Sequence, residues 1–191
     1  MEDQRGVNRQ PAAATIQLRF YTELNDFLPP AQRGATLTLR VDRRSSVKHV
    51  IEARGVPHPE VDLILVNGHP VDFNYLVHNG DRISVYPVFE ALDIGGVTRL
   101  RAAPLREVRF VLDTHLGKLA VYLRMLGFDT LYRRDFGDDE LAAIAAGEGR
   151  ILLTKDRGLL KRKLVTHGYC VRATDRQAQV REVMQRFDLC G

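Results

Sequence analysis

The sequence has no tryptophan, only 7% aromatic residues and just two cysteines. So few aromatic side chains give no grounds for a base-stacking platform of the kind single-strand nucleic-acid binders use. Cys170 and Cys190 are too few and too far apart for a disulfide framework or a Cys-x-x-Cys zinc site, and both are read as reduced thiols. Long hydrophobic runs are also missing. Leu63 to Val66 and Ile151 to Leu153 fall far short of the roughly 20 apolar residues that span a bilayer, so no membrane anchor is expected. The opening Met1-Glu2-Asp3-Gln4 is acidic and leads into no apolar core, which excludes a secretory signal. A cytoplasmic protein is expected.

What is present is ample apolar material, 45% of 191 residues, enough for two small cores. Charge is unevenly spread. Of the 28 Lys+Arg and 24 Asp+Glu, 11 and 12 fall in residues 1–100 and 17 and 12 in the remainder, giving net charges of −1 and +5. A basic second half attracts polyanions, and nucleic acid is the commonest in cytoplasm.

Residues 1–13 are polar and aperiodic and are expected to form a disordered tail. Ile16, Leu18 and Phe20, then Leu37, Leu39 and Val41, alternate with polar neighbours at strand period and suggest a hairpin. Ser45-Ser46 caps a short helix whose Val47, Val50 and Ile51 share one face, ending near Gly55 and Pro57. Further strands are expected at Val61 to Val66, before the turn pair Asn67-Gly68, and at Arg82 to Val88. This strand, strand, helix, strand, strand order, with Val66-Asn67-Gly68, Gly80-Asp81-Arg82-Ile83 and Tyr86-Pro87-Val88-Phe89, resembles the ubiquitin-like β-grasp sulfur carriers related to ThiS and MoaD. The resemblance implies an α+β β-grasp domain over residues 14–90. Sulfur carriers end in a free Gly-Gly carboxylate, whereas Gly95-Gly96 is followed by 95 more residues, so 91–107 is read as a linker and sulfur transfer ranks last. The domain is instead expected to dock a protein partner through its sheet face or edge.

Residues 108–191 alternate strand and helix patterns. A strand at Val108 to Leu112 ends at Asp113, and Leu116, Leu119, Ala120, Leu123 and Leu126 form one helical stripe closed by Gly127. A strand at Phe128 to Tyr132 precedes a helix opened by Asp138, with Leu141, Ile144 and Ala145 inward, closed by Gly147 and Gly149. The strand Arg150 to Thr154 leads to Asp156 and a helix from Arg157 to Leu164, then a strand at Tyr169 to Val171 and a helix from Asp175 to Phe187. Such alternation implies an α/β domain with a parallel sheet covered by helices.

Asp113 and Asp156 each follow a strand, and open parallel sheets build their sites outside the carboxyl ends of strands. Asp138 begins the helix between them. An acid before a helix is commonly only an N-cap, but Phe110-Val111-Leu112-Asp113 and Leu152-Leu153-Thr154-Lys155-Asp156 repeat one arrangement. Clustered carboxylates repel one another unless a divalent cation binds them.

At these residues the sequence resembles the Mut-seven C-terminal ribonuclease family, through Val111-Leu112-Asp113, Gly117-Lys118-Leu119-Ala120, Leu123 to Asp129, Asp138-Asp139-Glu140-Leu141 and Leu153-Thr154-Lys155-Asp156-Arg157. The resemblance implies a PIN-like domain in which Asp113, Asp138 and Asp156 are catalytic and hold Mg²⁺ or Mn²⁺, with Asp139 as the alternative ligand. It implies metal-dependent hydrolysis of RNA, with Lys118, Arg124, Lys155 and Arg157 placed to bind the RNA backbone. Lys161-Arg162-Lys163 is read as a solvated helix face in preference to a specific contact, and His115, two residues from Asp113, as a capping or packing residue in preference to one that meets substrate. PIN nucleases usually carry a fourth acid, and no equivalent is read between Leu116 and Phe136. Family members commonly continue into a zinc ribbon, which is not expected here after Leu189-Cys190-Gly191. The competing reading is a non-catalytic RNA- or protein-binding module with a degenerate PIN-like domain. A toxin-type PIN nuclease is disfavoured by the β-grasp half.

Overall fold

The computed structural model describes residues 13–87 and 108–189. The expected tail apart from Ala13, the linker at 91–107 with Gly95-Gly96, and Cys190 lie outside the described residues.

Strand β1 (Ala13–Phe20) buries every second residue, as its alternating sequence requires, and pairs antiparallel with β2 (Leu37–Asp42) in a register that sets Ile16 opposite Leu39. Helix α1 (Val47–Ala53) starts where the Ser46 hydroxyl accepts the His49 amide, satisfying one of the donors a helix start leaves open. Its Val47, Val50 and Ile51 pack on the sheet with Ile16, Leu18, Phe20, Ile64 and Val85. Strand β3 (Val61–Val66) turns through Asn67 and Gly68, both at positive φ, into the two-residue β4 (His69–Pro70), and β5 (Arg82–Pro87) completes the sheet. The order is β2-β1-β5-β3-β4 with β1 and β5 parallel at the centre. This is the β-grasp arrangement, and β4 is the strand too short for periodicity to reveal.

The second sheet comes from β6 (Phe110–Leu112), β7 (Thr130–Leu131), β8 (Ile151–Thr154) and β9 (Gly168–Cys170), all parallel, in the order β7-β6-β8-β9. Helices α2 (Gly117–Met125), α3 (Asp138–Glu148), α4 (Arg157–Leu160) and α5 (Arg176–Arg186) connect and cover the strands. Three details differ from the sequence reading. Leu126 is 53% exposed, because the helix ends at Met125 and Leu126 leaves its stripe at the C-cap. Gly147 lies inside α3, which closes only at Gly149 in the left-handed conformation. Helix α4 is one turn long and stops at Leu160, well before Leu164, which is exposed.

The halves pack on each other. One apolar cluster runs from Ile16 and Phe27 in the first half to Leu152, Leu159, Leu160, Val165 and Cys170 in the second. A 3-10 turn at His58–Glu60 lies against β9, the edge strand of the parallel sheet. Glu60 Oε1 accepts the Cys170 amide at 2.6 Å, and His58 Nε2 lies 2.8 Å from the Val165 carbonyl. The β-grasp half thereby covers an edge whose unpaired amides would otherwise invite pairing with another chain. Glu60 is fully buried with the Arg172 guanidinium 3.7 Å away. Burial pushes its carboxyl above the ordinary range, although Arg172 opposes the shift.

Candidate active site at the carboxyl edge of the parallel sheet

Strand β6 is the first of its sheet in sequence, and its neighbours β7 and β8 lie on opposite sides. The chain thus leaves β6 and β8 in opposite directions at adjacent strand ends, the switch point where open parallel sheets leave a crevice. Asp113 follows β6 and Asp156 follows β8, so the topology places both on that crevice.

One hydroxyl links them. The Asp156 amide donates to Thr154 Oγ1 at 2.8 Å, and Thr154 Oγ1 donates to Asp113 Oδ2 at 2.6 Å. Thr154 is fully buried and Asp113 is 6% exposed, so this link is shielded from competing water. The other Asp113 oxygen accepts the His115 amide at 3.0 Å and the Thr114 hydroxyl at 3.1 Å, with His115 Nδ1 also 3.0 Å away. Burial is the largest influence on Asp113 and opposes ionisation, but the bonds from Thr154, His115 and Thr114 together outweigh it and hold the carboxyl below its ordinary range. Asp113 is therefore an anion fixed in place at neutral pH. Asp156 is exposed, and its Oδ1 accepts the Gly158 amide at 2.6 Å, so it also caps α4. Thr154 has no role in the sequence reading beyond its place in the Thr-Lys-Asp segment, which was the available signal.

Asp138 and Asp139 are placed differently. A helix that returns between parallel strands begins at their carboxyl edge, so the start of α3 shares the edge with Asp113. Both carboxylates nevertheless pair with Arg162, Asp139 through Nη1 and Asp138 through Nη2 at 3.4 Å. Arg162, read as part of a solvated face, is thus the cation that holds these two acids. Among the described residues no three His, Cys, Asp or Glu side chains converge as a metal site.

Beside the edge is a groove of about 720 Å³, lined by Lys118, Arg124, Arg134, Lys155, Arg176 and His115 among its residues and by no carboxylate. Three of the four expected RNA contacts are there. Its floor depends on Gly117, where a Cβ would collide with the Tyr132 ring whose hydroxyl donates to the Thr114 carbonyl. Arg124 is braced by donating to the Thr130 carbonyl at 2.8 Å. Arg157 points elsewhere: its guanidinium sits 4.9 Å from the Phe27 ring and donates to the Phe27 carbonyl, joining the two halves next to Asp156.

Among the described residues no helix is long and apolar enough to cross a membrane. Residues 13–93 match the family model for the Mut7-C ubiquitin domain, and residues 108–191 match that for the Mut7-C RNAse domain. Among solved structures, the crystal structure of SAMP1 from Haloferax volcanii is similar at 15% identity and a TM-score of 0.32, covering 41% of this chain and 100% of that one. No curated protein matches the chain. The chain therefore joins two regions of known family, a Mut7-C ubiquitin-like β-grasp domain followed by a Mut7-C RNAse domain.

Proposed function

We propose that the chain is a ribonuclease that hydrolyses RNA phosphodiester bonds with Mg²⁺ or Mn²⁺ at the Asp113 and Asp156 edge. The observation that carries this reading is the juxtaposition of a fixed, ionised Asp113 with a basic, carboxylate-free groove whose lining includes Thr114, His115 and Lys155. An anion pair beside a polycation groove suits a substrate that is a polyanion cut at one bond.

The donor set fits a hard divalent cation in part. Asp113 and Asp156 offer oxygen ligands on adjacent strand ends, tied together by Thr154, and a cation there would relieve their mutual repulsion. Asp138 and Asp139 fit only once Arg162 leaves them. A bound ion would polarise a phosphoryl oxygen and lower the pKa of the attacking water. The chain's own residues do the rest. Thr154 orients Asp113 and the backbone that carries Asp156, as a residue behind a ligand does. Lys118, Arg124 and Lys155, joined by Arg134 and Arg176, hold the phosphates along the groove.

The test is cleavage of labelled RNA by the purified chain with Mg²⁺, Mn²⁺ or EDTA, beside Asp113→Asn. Cleavage that needs the metal and falls about 100-fold or more in Asp113→Asn is expected, in line with removal of one electrostatic group from a reacting centre. Binding of RNA without cleavage by the folded, metal-supplied chain would instead favour a degenerate, binding-only domain.

A further inference from the structure

The β-grasp sheet has two unlike faces. One is buried under α1. The other carries, in register across three strands, Arg40 beside Thr15, then Thr38, Gln17 and Arg82, then Arg19 beside Ser84. Alternation on β1 and β2 turns Thr15, Gln17, Arg19, Thr38 and Arg40 outward, and Arg82 is likewise exposed. Beyond Arg19 the same face ends in Tyr21 and Tyr86, half-buried and stacked with centroids 4.3 Å apart and planes 14° off parallel. The Arg19 guanidinium lies 5.2 Å from the Tyr21 ring. At the opposite end Thr15, Gln17, Thr38, Asn79 and Arg82 line a hollow of about 320 Å³.

This concentration is hidden by the near-neutral charge of the first half. Most of its described acids lie elsewhere: Glu60, Asp62 and Asp81 are buried, the Glu52 carboxylate lies 2.7 Å from His58, Asp26 lies 3.8 Å from Arg172, Asp72 accepts the Asn74 amide, and Glu23 lines a hollow with Arg172 and Arg186. On the face itself, among the described residues, Asp42 at the margin opposite Ala13 is the carboxylate, and one of its oxygens accepts the Arg44 amide. Three guanidiniums spaced over a flat sheet, short hydroxyl and amide side chains between them, and a tyrosine stack at one end complement a phosphate backbone with an unpaired base.

The chain that leaves this face reaches the neighbour of Asp156. Tyr21 opens directly into the 3-10 turn Thr22–Phe27, and the Phe27 carbonyl accepts a bond from Arg157, the neighbour of Asp156.

We infer that the exposed face of the β-grasp sheet, through Arg19, Arg40, Arg82 and the Tyr21–Tyr86 stack, binds single-stranded RNA and feeds it toward the Asp113 and Asp156 edge. Only the destination of the strand rests on the ribonuclease reading; the binding does not.

The experiment titrates fluorescein-labelled 20-nucleotide single-stranded RNA with the full chain in EDTA, over a range of salt concentrations. An Arg19, Arg40 and Arg82→Ala triple variant and Tyr21→Ala are run alongside, with circular dichroism to confirm folding. The triple variant is expected to bind about tenfold or more weakly and to lose about 2 from the slope of log affinity against log salt, the share of three phosphates on a single strand. Tyr21→Ala is expected to lose about fivefold or more in affinity with the slope unchanged. Wild-type affinity and slope in the folded triple variant would overturn the inference and leave the face to a protein partner. If wild type and variants differ in binding as expected but metal never produces cleavage, the ribonuclease reading fails and this inference stands.

Discussion

The two sheets of this protein offer function in different places. The parallel sheet is covered by helices on its faces, so its chemistry collects at the strand ends, where Asp113, Thr154 and Asp156 meet. The β-grasp sheet has helix α1 on one face, and on the other its β1 and β2 side chains are exposed, so the recognition surface proposed for it is a face with arginines in register. An edge gathers a few groups tightly enough to fix an ionised carboxylate; a face spreads groups over the span of several nucleotides. The lesson is that a sheet's covering decides what sort of site it can carry.

The sharpest way to break this contrast is to separate the two sheets. Glu60→Ala leaves Arg172 without its buried carboxyl partner and the Cys170 amide without its acceptor, and removing one partner of such a buried pair costs about 3 kcal/mol. A large drop in melting temperature, in one transition reported alike by both halves, is expected from chemical and thermal denaturation. Two separate transitions in the wild type would show that the halves are independent. The pH dependence sharpens the point. Because the folded state raises the Glu60 pKa, it binds an extra proton above the unfolded value of about 4.3. The resulting stability is fully present below that value and is lost as pH rises through the folded pKa. The stability of Glu60→Gln relative to wild type should therefore increase as pH rises from about 4 through that range.

Next in size is the link within the edge. Thr154→Val keeps the shape but removes the hydroxyl between Asp113 and Asp156, and a loss of about 10- to 100-fold in Mn²⁺ affinity by calorimetry is expected, with Thr154→Ser restoring most of it. Equal affinity in Thr154→Val would mean that the two acids do not act as one site.

The smallest expected effect concerns α3. Arg162→Ala frees Asp138 and Asp139 from an exposed ion pair, and Mn²⁺ affinity should tighten by about two- to fivefold, the range of such surface pairs. Weaker metal binding would show that Arg162 orders these acids rather than blocks them.

Much of this was legible in the sequence, because strands and caps are local signals. The alternation at Ile16, Leu18 and Phe20, the Ser46 cap and the apolar strand ending at Asp113 each specify their element within a few residues. The short pieces escaped: β4 has two residues, and α4 is a single turn whose Leu159 and Leu160 suffice to anchor it. The contact between halves escaped for another reason, since Glu60 and Cys170 are 110 residues apart and nothing local announces that they meet. Composition gives no sign of paired aromatics, but strand register brings Tyr21 and Tyr86 together from opposite ends of the first half. Similarly, Asp138 was legible as a helix start, but its pairing with Arg162 depends on how tightly the turn after α4 folds back.

The proposal that Asp113 and Asp156 at the strand ends, rather than the acids at the start of α3, form the reacting centre is tested by single-turnover RNA cleavage in Mn²⁺ by Asp156→Asn beside Asp138→Asn. Asp156→Asn is expected to lose nearly all cleavage while Asp138→Asn retains most of it. Loss in Asp138→Asn with retention in Asp156→Asn would contradict that proposal.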